Sequence, residues 1–118
     1  MFKIEKNAYA VKMAMGLLDK DYKIQLVSTE NARAYFEKKA IELFGFGNIT
    51  MVTGVYTHED TGEKVKEPSL VIDFSFFYDD FEDLKILEKI DVFCNDLKIR
   101  YNQESIYCKI EDVYMDFK

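Results

Sequence analysis

Two polar triplets hold most of the chemistry this sequence can offer. Glu67-Pro68-Ser69 and Gln103-Glu104-Ser105 each set a carboxylate beside a hydroxyl. Two carboxylates facing one another across a substrate can act as general acid and general base. Tyr56 and His58 stand two residues apart, a phenol and the chain's only histidine. Arg33 and Arg100 are its only arginines, and a guanidinium fork grips carboxylates and phosphates.

Other chemistries fit less well. A nucleophilic triad needs a base beside its nucleophile, and Cys94 and Cys108 read as inward, apolar-face positions away from His58. With no secretion signal they are expected as reduced thiols packed in the core. Two separated cysteines and one histidine lack zinc spacing, so no metal is expected, and no cofactor motif is present. Gly45-Phe46-Gly47 follows a helical pattern and reads as a helix end rather than a phosphate loop.

The elements that must position these groups are legible from periodicity. Tyr9, Val11, Met13, Met15 and Leu17 alternate with small or polar residues, a strand with one apolar face. Tyr35, Phe36, Ala40, Leu43 and Phe44 recur at three and four, a helix capped by Ser28 or Thr29 and ended by Gly45. Ile49 to Thr57 gives a second strand, and the Asp60-Thr61-Gly62 turn makes a hairpin with the third, where Leu70, Ile72, Phe74 and Phe76 alternate. One long helix is expected from Asp79, with Ile86, Leu87, Ile90, Phe93, Cys94 and Leu97 on its apolar face. The last strand runs through Ile106, Cys108 and Ile110, and its change of parity at Glu111-Asp112 suggests a bulge.

The order β-α-β-β-α-β is the ferredoxin-like pattern. Right-handed crossovers then give a four-stranded antiparallel sheet in the order 4-1-3-2 with both helices on one face. That topology carries Tyr56, His58, Glu67, Ser69, Gln103, Glu104 and Ser105 to one end of the sheet. Arg33 at the start of the first helix and Arg100 at the end of the second are expected at the same end, where they suit an anionic ligand. Glu67 and Glu104 would begin about 10 Å apart at the backbone, two strand spacings. The opposite sheet face, with Ala10, Lys12, Ala14, Val71, Asp73 and Ser75, has no aromatic platform for stacking bases.

Gly54-Val55-Tyr56, Gly62, Glu67-Pro68-Ser69 and Asn102-Gln103-Glu104-Ser105-Ile106 together resemble an uncharacterised bacterial family of small ferredoxin-like domains of unknown function. The resemblance runs from about Met13 to Phe117 and implies the same α+β fold, with no activity, cofactor or catalytic residue to carry over.

Composition sets the remaining bounds. The chain has 118 residues, 48% of them hydrophobic, enough for one α+β domain over 1–118. Its 22 acidic against 16 basic residues give a net charge of −6, which argues against a nucleic-acid polymer as partner. Met1 to Lys6 holds no apolar leader, and no apolar run approaches the ~18 residues of a membrane span, so a cytoplasmic protein is expected. The reading that follows is a small-ligand-binding module for a polar or anionic metabolite, a nucleotide or a phage-type sequestered ligand included. The alternatives are an acid/base enzyme of the dimeric α+β-barrel type and an acidic interaction or inhibitor domain. A homodimer or higher homo-oligomer is expected, because one sheet face is left uncovered by helices.

Overall fold

A computed structural model describes residues 4–118, so Met1 to Lys3, on which part of the leader reading rests, lie outside the described residues. The elements are β1 (Ala8–Gly16), α1 (Thr29–Phe44), β2 (Asn48–Thr57), β3 (Lys64–Phe77), α2 (Tyr78–Asp83), α3 (Ile86–Arg100) and β4 (Tyr107–Val113). The sheet order is β2-β3-β1-β4, every pair antiparallel, an α+β ferredoxin-like fold. Period-two alternation sends Val11, Met13 and Met15 of β1 and Leu70, Ile72, Phe74 and Phe76 of β3 into the helix layer. There they meet Ala32, Phe36, Ala40 and Phe44 of α1 and Ile86, Ile90, Phe93 and Leu97 of α3. Phe44 stacks on Phe74 with centroids 4.2 Å apart, and Phe93 meets Phe36 edge-on at 5.5 Å.

Local chemistry sets the ends of α1. Ser28 Oγ accepts from Asn31 N–H at 3.1 Å, and Gly45 takes the left-handed conformation at φ 83° while its N–H donates to Ile41 O.

β3 is longer than its β1 partner. β1 reaches only from Phe77 back to Ser69, whereas β2 stays paired to β3 down to Thr57 opposite Lys64. The far halves of β2 and β3 therefore leave the sheet as a two-stranded arm. β2 has one unpaired edge and carries no charged residue and no proline from Asn48 to Thr57.

Four local expectations need correction. The long second helix is two helices, because Lys85 adopts φ 54° and restarts the chain after Leu84 N–H and Lys85 N–H close on Asp80 O and Glu82 O. The restart turns Leu87 outward, to 51% exposure. The bulge at Glu111-Asp112 is absent: β4 pairs residue for residue until Val113 lies opposite Ala8, where β1 runs out. The parity change marks the strand's end, after which the Asn7 side chain exchanges two hydrogen bonds with the backbone of Met115. Cys94 is half-buried but Cys108 is exposed, on β4 at the edge of the sheet. Burial still pushes the Cys94 thiol up to about 11, and the Cys108 thiol in the same direction. Among the described residues, no helix is long and apolar enough to cross a membrane.

Candidate functional site

At the arm end of the sheet lies an open cleft of about 850 Å³. Three segments wall it: the arm with Tyr56, His58, Glu63 and Glu67, the loop from Leu18 to Gln25, and the stretch Gln103 to Ser105 before β4.

Glu67 is the carboxylate fixed at its inner side. It is half-buried, and its Oε1 accepts from Leu18 N–H at 3.0 Å. Gly16 makes the space for it, since a Cβ at residue 16 would stand 2.8 Å from Oε2 and closer still to Oε1. Gly54 pairs with Glu67 across the strands, so no side chain of β2 covers that position. Glu63, Glu104 and the lysines at 20, 23, 64 and 66 are exposed at the mouth of the cleft, where water screens them. The apolar share of the lining comes from Leu18, Ile24, Val65 and the Tyr56 ring.

The loop wall is built on one buried carboxylate. Asp19 is 6% exposed, and its Oδ2 accepts from Asp21 N–H at 2.9 Å and Tyr22 N–H at 3.0 Å. Its Oδ1 accepts from Asn102 Nδ2 at 2.9 Å, and the same nitrogen reaches Asp21. The Tyr22 and Asn102 donors hold the Asp19 carboxyl below its ordinary value of 3.8. Gln103 Nε2 donates to Leu18 O at 2.8 Å, a second tie between this loop and the segment after α3. A polar break in the sequence is thus an Asx turn strapped to Asn102, and the aspartate that opens Asp19-Lys20-Asp21 is the signal that would have revealed it.

The structure brings together Tyr56, His58, Glu67, Gln103, Glu104 and Ser105. It does not bring Ser69, Arg33 or Arg100 to the cleft. Ser69 Oγ donates to Glu67 O from the sheet face. Arg33 pairs with Glu37 one turn along α1. Arg100 lies over the Tyr35 ring at 4.0 Å and faces Asp96, which accepts a hydrogen bond from the Tyr35 hydroxyl. Leu18, Asp19, Lys20, Lys23, Ile24 and Gln25 are lining residues the sequence did not single out. Among the described residues, no three His, Cys, Asp or Glu side chains converge as a metal site requires.

No family model matches the chain, and no curated protein matches it. Several solved structures share its fold. A phage SAM lyase in complex with S-methyl-5'-thioadenosine superposes with a TM-score of 0.64 at 18% identity, covering 98% of this chain and 91% of that one. CutA from Synechococcus elongatus gives 0.53 at 14% identity, over 93% and 80% of the two chains. The divalent ion tolerance protein CutA1 from Ehrlichia chaffeensis gives 0.54 at 16% identity, over 95% and 86%. Likeness at these identities is likeness of fold.

Proposed function

We propose that the cleft takes an adenine nucleoside bearing a thioether or sulfonium at its 5' carbon, and that the chain is a lyase acting on S-adenosylmethionine. The observation that carries this reading is the fixed carboxylate of Glu67 beside an apolar lining. A sulfonium is a cation, and Glu67 offers it a half-buried negative partner. Leu18, Ile24, Val65 and the Tyr56 ring suit an adenine face and a methylthio group. The shared fold with a SAM lyase solved with S-methyl-5'-thioadenosine adds weight, because the likeness spans nearly the whole of both chains.

Release of that thioether from S-adenosylmethionine breaks one carbon–sulfur bond. The bonding pair stays on sulfur and the sulfonium charge disappears. The aminoalkyl fragment closes on its own carboxylate or gives up a proton, so neither water nor a cofactor is consumed. Glu67 orients the cation, Tyr56 supplies ring and hydroxyl, and Gln103, Glu104 and Ser105 line the side where the polar fragment would lie. The ligand class this favours is a cationic or neutral nucleoside, and Arg33 and Arg100, which do not line the cleft, have no part in holding it.

The same reading has the chain working as a homodimer or higher homo-oligomer. Ala10, Ala14 and Val71 lie half-buried on the sheet face that no helix covers, a surface that a second copy would seat on. Sedimentation at several concentrations tests this, and a monomer throughout overturns it.

The test of function is direct. Purified protein is incubated with S-adenosylmethionine, and S-methyl-5'-thioadenosine is followed by chromatography. Glu67→Gln is expected to lose turnover by about a hundredfold or more while still binding the thioether. Binding without release in the wild type leaves a nucleoside-binding module, and binding of neither compound overturns the reading.

A further inference from the structure

The inner polar groups of the cleft are already paired, with one exception. Glu67 accepts from Leu18 N–H, Gln103 donates to Leu18 O and Tyr101 O, and Gln25 donates to Val27 O and Thr29 Oγ1. Asp19 is satisfied by three donors. His58 lines the same cleft, yet its Nδ1 is shielded from solvent and has no hydrogen-bond partner. It is the only buried side-chain nitrogen or oxygen in that state among the described residues. Native proteins rarely leave such an atom unpaired, because it has lost water and gained nothing.

The backbone beneath the ring is fixed. His58 N–H donates to Glu63 O at 2.7 Å, and His58 O accepts from Gly62 N–H at 2.8 Å. The imidazole therefore hangs from a pinned point of the arm, and its two side-chain torsions are the freedom that remains. Because Nδ1 is shielded as it stands, contact with a ligand in the cleft requires the ring to turn.

We infer that His58 is a ligand-contacting residue whose Nδ1 is completed by a ribose hydroxyl of the bound nucleoside. This rests on the nucleoside reading above and names one atom within it. A hydroxyl is the partner that serves either state of the ring, donating to a bare nitrogen or accepting from a protonated one. A carboxylate or phosphate only accepts, so it could not serve a bare nitrogen.

The experiment is a four-way comparison by calorimetry, with wild type and His58→Ala each titrated with S-methyl-5'-thioadenosine and with its 2',3'-dideoxy analogue. Wild type is expected to bind the parent about tenfold more tightly than the analogue, and His58→Ala to bind both about equally. His58→Asn, whose amide reaches the place of Nδ1, should recover most of the loss, whereas His58→Gln, which reaches the place of Nε2, should not. In the unaltered protein, the Nδ1 resonance of the single histidine should move on adding the parent and stay with the analogue. An unmoved resonance, or a His58→Ala loss equal for both ligands, overturns the inference and leaves the site reading standing. Wild type that binds neither nucleoside overturns both.

Discussion

Gly16 and the carboxylate of Glu67 occupy one space: a Cβ at residue 16 would stand 2.8 Å from Oε2 and closer to Oε1. The clash falls on the free end of a side chain, so an added methyl displaces the carboxylate and leaves the backbone in place. Gly16→Ala is therefore expected to keep its stability within about 1 kcal/mol, with strand propensity offsetting the lost Leu18 hydrogen bond. Binding of S-adenosylmethionine, the cation that Glu67 would hold, should fall about tenfold or more. Thermal melting and calorimetry on the same sample check this, and unchanged affinity would remove Glu67 from the site.

How much of this was legible follows from which period governs each residue. Parity along β3 placed Leu70, Ile72, Phe74 and Phe76 inward, and the antiparallel order placed Glu67 and Gln103 at one end; both are consequences of a period of two. Arg33 and Arg100 obey a helical period, where reaching the right end of the helix leaves the azimuth open. Arg33 follows the buried Ala32 and turns to solvent, while Arg100 falls on the side facing Tyr35. The loop from Leu18 to Gln25 has no period at all, and its shape depends on Asn102, more than eighty positions away in the chain.

Arg100 has a structural task instead. Its guanidinium covers the Tyr35 ring at 4.0 Å and faces Asp96, tying α3 to α1. Arg100→Ala should cost about 0.5–1 kcal/mol in denaturant titration, the range for an exposed cation–π contact. Nucleoside affinity should not change, and a large loss of affinity would return the arginine to the site.

Phe74 is 3% exposed and stacks on Phe44, with Phe76 edge-on at 5.9 Å. Phe74→Ala should destabilise the fold by about 3–5 kcal/mol, the cost of an aromatic cavity that a sheet-on-helix core cannot close. Equilibrium unfolding measures it, and a loss under about 1 kcal/mol would contradict the register of β3.

Acid should loosen the loop wall. Folding lowers the Asp19 carboxyl below 3.8, chiefly through Tyr22 N–H and then Asn102. A depressed carboxyl stabilises the native state above the unfolded value, and that contribution is lost as pH falls through the folded one. The stability gap between wild type and Asp19→Asn should be steady from neutral pH to about pH 5 and narrow below 3.8. A gap that stays constant into acid would mean that the ionised carboxylate is not what holds the turn.

The bare margin of β2 has a consequence for handling the protein. Ten successive positions offer amides and carbonyls with no like charge to push a neighbouring molecule away. Any chain that adds to that margin is held by main-chain contacts, which salt scarcely weakens and dilution undoes. Buffer strength is then the wrong lever for keeping preparations monodisperse, and a single lysine set into the outer side of that margin is the right one.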